Sequence, residues 1–239
     1  MENRIPQNEL TEMWHEYNQI RVTGDKKTAT KRLLDFIDLL KKQDENDIQK
    51  FVDNLCELIL EEEEKIIDSN GTEVSDKQVR IQFPLFKEII LPVLKVQFKN
   101  NSAKHIKWIG QLEQFFYSDK NLTTNFLKEL NIEGHFEARY FFEKSFSIGK
   151  NQKTLNFCLN RIAQDINFYL HEVPFGVLIS PEELEKELNT FRKYWLLSDS
   201  KNVWKEDLTQ WETIAKHWKL YILNQDEYDS FENYLKLND

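Results

Sequence analysis

Glu12-Met13-Trp14-His15 is the one stretch with the spacing of a metal-binding helix, a Glu and a His three residues apart on one face. A carboxylate-bridged pair of metals in a helical bundle needs two such units and two further Glu, and no second unit is present. His105, His135 and His217 share no ligand spacing. Nucleophilic catalysis needs a Ser or Cys oriented by a His. Cys158 and His171 fall on different faces of one expected helix and do not pair within it. The six glycines are scattered singly, so no backbone cradle for phosphate can be read, and no P-loop, dinucleotide fingerprint or nucleophile elbow occurs. The sequence therefore predicts no catalytic residue, no metal and no cofactor.

Binding chemistry is better represented. His135, Arg139 and Glu143 stand four residues apart, one line down an expected helix, and Arg139 and Glu143 can pair across a turn. Asn156, Asn160, Asn167 and His171 form a polar, uncharged row on the helix that follows. Asn is a middling helix former, so its repetition on one face calls for a reason. If the line and the row face the same space, they make a hydrogen-bonding groove for a partner backbone or a polar ligand. Glu57, Glu61, Glu62 and Glu64 form a candidate acidic patch. Trp204, Trp211 and Trp218 alternate at spacings of seven on one helical seam. Such a seam packs against another helix, or anchors a homodimer if the indoles are exposed.

The elements that must position these residues are helices. Apolar residues recur at helical spacing over 8–21, 28–42, 47–68, 85–99, 102–117, 120–130, 134–148 and 152–172. Pro92 should bend the helix over 85–99, because it lacks an N–H and crowds the preceding turn. Ser180-Pro181-Glu182-Glu183 is a full helix-start signal, with N-cap Ser, Pro in the first turn and Glu at the capping-box position. A long helix follows 199–200, and a short one carrying Tyr228, Phe231 and Leu235 closes the chain. Only 6 Gly and 5 Pro in 239 residues are too few for the turns of a sandwich or barrel.

The expected fold is thus all-α, with about 9–10 helices. They stack as antiparallel hairpins in an α-solenoid-like array or an irregular bundle. Residues 44–55 and 119–130 align without gaps at Asp, Asn, Phe and Leu, which favours hairpin stacking. The chain lacks the signature of tetratricopeptide repeats. One helical domain over 1–239 is expected, with a candidate subdomain boundary in the loop near 69–75, separating 1–68 from 76–239.

Charge narrows the partners. The net charge is −9, and it is unevenly spread: −7 over 1–80, +4 over 81–160 and −6 over 161–239. Phosphate binding wants a net basic face, which argues against nucleic acid. The most apolar run, 89–94, is interrupted by Pro92 and followed by Lys95, so no membrane insertion is expected. Two isolated cysteines and no apolar leader core point to a cytoplasmic setting. The function expected on these grounds is a non-catalytic protein-interaction module. The alternatives are an acidic inhibitor or immunity-type protein that masks a basic effector, and an enzyme with an unrecognised helical active site.

Overall fold

The computed structural model describes residues 7–61, 80–199 and 201–238. It is 81% helical, with twelve α-helices and no strand among the described residues. The all-α class read from the periodicity is the class observed. The chain groups into two compact units, Met1–Ala138 and Arg139–Asp239. The expected boundary near 69–75 lies outside the described residues; the two units divide in sequence after Ala138, at the start of a helix.

In the first unit, α1 (Gln7–Thr23) and α2 (Lys26–Leu40) form a hairpin. Gly24 makes the reversal at φ +88°, a conformation that glycine adopts freely. Asp25 then caps α2 by accepting the Thr28 N–H at 3.0 Å. Trp14, Tyr17, Phe36 and Phe51 gather where this hairpin meets α3 (Glu45–Cys56), with ring centroids 5.2–5.5 Å apart. Asp44 caps α3 through the Asp47 N–H at 2.9 Å. The helix widens into a π-type turn over Glu57–Glu61.

Pro92 does not break its helix. An α-turn over Phe83–Leu85 and a π-type turn over Phe86–Ile90 lead straight into α4 (Leu91–Lys99). The Leu91 N–H reaches back five residues to the Phe86 carbonyl. That wider turn precedes the proline and takes up the crowding that its ring causes. The single helix expected over 102–117 is divided at Leu112 into α5 (Ala103–Gln111) and α6 (Glu113–Ser118). Leu112 turns to φ −95°, ψ 17°, and the Phe115 N–H bonds its carbonyl at 3.0 Å. This redirection lets Phe115 stack on Phe86, 4.5 Å between centroids, while Phe116 stacks on Phe136 at 4.2 Å. α7 (Lys120–Glu129), capped by Asp119, adds Phe126 to the same core.

The second unit holds α8 (Ala138–Gly149), α9 (Gln152–Leu170), α10 (Pro181–Leu197), α11 (Lys205–Leu223) and α12 (Phe231–Asn238). α9 packs on α10, α10 on α11, and α11 on α12. The start signal at Ser180 forms as read: Ser180 Oγ accepts the Glu183 N–H at 3.2 Å, and Glu183 reaches back to the Ser180 N–H at 3.1 Å. The tryptophan seam is interior. Trp211 is 3% exposed and half-buried Trp204 lies 6.3 Å from it. The Trp218 N–H bonds the Ile179 carbonyl at 3.0 Å. A homodimer through three exposed indoles therefore lacks its premise, because Trp211 is spent on its own unit.

Candidate functional site

The structure separates the residues that the sequence placed together. α8 begins at Ala138 rather than near 134, because Gly134 takes φ +87° and the chain enters the helix only after Glu137. His135 therefore precedes the helix and is not in line with Arg139 and Glu143. It is exposed and pairs with Glu137 at 3.0 Å, and it belongs to the first unit.

Arg139 and Glu143 do meet, with Nε to Oε1 at 2.9 Å. Arg139 also donates from Nη1 to Glu187 at 2.6 Å and faces Asp165 at 3.9 Å. One guanidinium thus ties α8 to α9 and α10. Burial disfavours its charge, but the Glu143 and Glu187 carboxylates outweigh that and hold it protonated. Its donors are committed to fold, so it is a fastening of helices rather than the wall of a groove.

The asparagine row divides likewise. Asn156 and Asn160 are exposed on α9. Asn167 accepts the Trp211 indole N–H at 3.0 Å, which fixes α11 against α9. His171 ends α9: its Nδ1 donates to the Phe168 carbonyl at 2.5 Å, its Nε2 faces Glu172 at 2.9 Å, and its ring stacks on Phe168.

The acidic patch is engaged within the first unit. Glu57 accepts from Lys104 at 2.8 Å, and Glu61 accepts from the Trp108 indole at 2.7 Å and from Lys107. Glu62 and Glu64 lie outside the described residues.

These bonds belong to a polar knot that the sequence did not reveal. His105, 3% exposed, faces Asp53 of α3 through Nε2 at 2.7 Å and Ser102 through Nδ1 at 2.6 Å. A carboxylate only accepts, so Nε2 carries the proton toward Asp53, and Nδ1 of the neutral ring accepts from the Ser102 hydroxyl. Burial is the main reason that the His105 pKa is lowered; Lys104 adds to the shift and Asp53 opposes it. A hydroxyl, an imidazole and a carboxylate in series can activate a nucleophile. Here the imidazole is almost fully buried. The series acts as a strut between α3 and α5.

Burial pushes the Cys56 and Cys158 thiols up to about 12. Among the described residues no cluster of His, Cys, Asp and Glu could hold a metal ion. No described helix is long and apolar enough to cross a membrane.

Exposed large apolar side chains occur in both units, and several lie on two segments of the second. After α9 the chain turns over 171–176, and the Leu178 N–H returns to the Tyr169 carbonyl at 3.0 Å. Val173 and Val177 then pack on a cluster of Tyr221, Phe231 and Tyr234 from α11 and α12. The 168–179 segment is thereby held against the last turns of α11. On these two elements Phe168 (61%), Phe175 (74%), Leu178, Ile222 and Leu223 (72%) are exposed. Glu172, Asp226, Glu227 and Asp229 are exposed within the same segments, and neither 162–185 nor 220–235 contains a Lys or Arg. The helical spacing over 152–172 ends at this turn. The signal that could have found this end is large apolar residues off the core spacing in a stretch without cations.

No protein-family model, no curated protein and no solved structure matches the chain.

Proposed function

We propose that this chain is a non-catalytic α-helical protein-interaction module whose contact surface is the apolar end of its second unit. The exposure of Phe168, Phe175 and Leu223 together carries this reading. Scattered exposed aliphatics are ordinary, but large apolar side chains gathered on adjoining segments favour an interface. Aromatic anchors supply contact area at little cost in side-chain entropy and dominate measured interface energies. The polar and ionic groups elsewhere support the same reading, because the Arg139 and His105 clusters are spent on joining helices.

The test is recovery of a partner from the native host by photo-crosslinking from position 178, with the double variant Phe175→Ser/Leu223→Ser as control. The expected outcome is one stoichiometric protein partner that the variant loses. Equal recovery by both forms would count against this surface.

A further inference from the structure

We infer that Ser102 is a nucleophile, whose Oγ takes up one acyl group per chain from an activated ester. The uptake is stoichiometric. It adds a modification site in the first unit to a non-catalytic chain, and it is independent of the contact surface in the second.

Local structure sets the hydroxyl in place. The chain reverses at Asn101, at φ +55°, between α4 and α5. The Ser102 N–H bonds the Gln97 carbonyl at 3.0 Å, and the Ser102 carbonyl accepts the Ile106 N–H at 3.0 Å. Ser102 is the N-cap residue of α5, and a serine there ordinarily accepts a first-turn N–H. Its side chain makes no such cap; Oγ turns instead to His105, 2.6 Å from Nδ1. Ser102 is half-buried beside exposed Asn100 and Asn101, so a small electrophile can approach it from solvent.

The partners of the hydroxyl supply a base. Nε2 of His105 donates to Asp53 at 2.7 Å, which leaves Nδ1 as the acceptor facing Ser102. Burial holds the ring below its ordinary pKa, so at neutral pH the imidazole is uncharged and takes a proton. The other charges beside it are Lys104 and Glu57; Lys104 stands 3.5 Å from Asp53 and 2.8 Å from Glu57. A hydroxyl, a base and an orienting carboxylate within hydrogen-bond reach have the geometry of an activated nucleophile. The first-turn amides of a helix have no acceptor inside it. Those of α5 start next to Ser102, where the ester oxygen gains negative charge during attack.

The step balances without a further reactant. Oγ attacks the ester carbonyl and a C–O bond forms as the hydroxyl proton passes to Nδ1. The bond from that carbon to the leaving oxygen breaks, the leaving group departs with the electron pair, and the proton returns from Nδ1 to it or to solvent. Asp53 offsets the charge held meanwhile on the ring. Hydrolysis of the product would need water at Nδ1, but His105 is 3% exposed and an acyl group on Ser102 covers that nitrogen. The acyl group is therefore retained.

The experiment uses the full chain and p-nitrophenyl acetate at neutral pH. Nitrophenolate release gives the rate, and mass spectrometry of proteolytic fragments locates the acetyl group. Ser118 and Ser147 are internal controls, since their exposed hydroxyls donate to the Gln114 and Lys144 carbonyls at 2.9 and 2.7 Å. Ser102 should react about a hundredfold faster than either, within the range that a positioned base contributes. The fast phase should end at one acetyl group per chain, and Ser102→Ala should remove it. His105→Asn should slow it about a hundredfold while hydrogen exchange shows α3 and α5 still docked.

Equal acetylation of Ser102, Ser118 and Ser147 would overturn the inference, as would an acetyl group on the Lys104 amine in place of Ser102. A fast phase that survives in docked His105→Asn would overturn it too, because the imidazole would then be a strut alone. If that variant undocks α5, the preference for Ser102 in the native chain and its loss in urea decide. Continued turnover that Ser102→Ala abolishes would keep the nucleophile and overturn the non-catalytic reading.

Discussion

The two units each fasten their helices with a polar knot, but they centre it on different side chains. In the first unit the centre is His105, between Asp53 of α3 and Ser102 at the start of α5. In the second it is Arg139, which joins Glu143 on its own helix to Glu187 and Asp165 on two others. A guanidinium keeps its charge at any pH where proteins fold, whereas an imidazole changes charge near neutrality. Similar architecture therefore has different chemical tolerances: in mild acid the guanidinium keeps its charge, whereas the imidazole gains one.

Arg139→Met is expected to have the largest effect. It leaves Glu143 and Glu187 facing one another without a cation, and breaking such a partly buried cluster costs about 3 kcal/mol. Hydrogen exchange resolved by segment should show the loss in 139–238 and much less in 7–61. Equal loss in both units would break the comparison by showing that they unfold as one.

His105→Leu should follow at about 2 kcal/mol, since Asp53 and Ser102 lose their shared partner while the pocket stays filled. The loss should fall on α3 and α5. Rescue by Asn at position 105 would assign the effect to the hydrogen bonds rather than to ring packing.

The dependence on pH sharpens the comparison most directly. The His105 pKa is lowered on folding, so below about 6.5 the unfolded state binds the proton first. Stability from this group is complete above the unfolded value and is lost as pH falls toward the folded one. Urea midpoints for the first unit should decline on going from pH 7 to pH 5.5, and His105→Leu should flatten that decline. An unchanged slope in the variant would remove His105 as its source.

The smallest signal is kinetic. Cys56 lies beside the histidine knot and Cys158 beside the arginine knot, and both thiols are pushed up to about 12. Neither should react with a disulfide reagent in the native protein at pH 8, and both should react in urea. With a methanethiosulfonate at pH 5.5, Cys56 should lose protection before Cys158.

How much of this was legible follows from where each interaction sits along the chain. The helices, the Ser180 capping box and the interior side of α9 are set by spacings of three and four residues, which sequence displays directly. The Arg139–Glu143 pair is of the same local kind and was read correctly. Its link to Glu187 was not, because 48 residues intervene. His105 with Asp53 and Trp211 with Asn167 are separated by 52 and 44 residues. His135 was misplaced by one local feature, the positive φ of Gly134, which delays the helix past Glu137.

The sequence alone therefore determined an all-helical chain, its main caps and its acidic character, since these depend on periodicity, composition and nearest neighbours. Only the tertiary structure decided which polar residues are spent on fastening helices, and which apolar ones remain outside the core. The reason is physical: a side chain's free donors and exposed carbon depend on which distant helix arrives beside it, and one-dimensional spacing carries no record of that arrival.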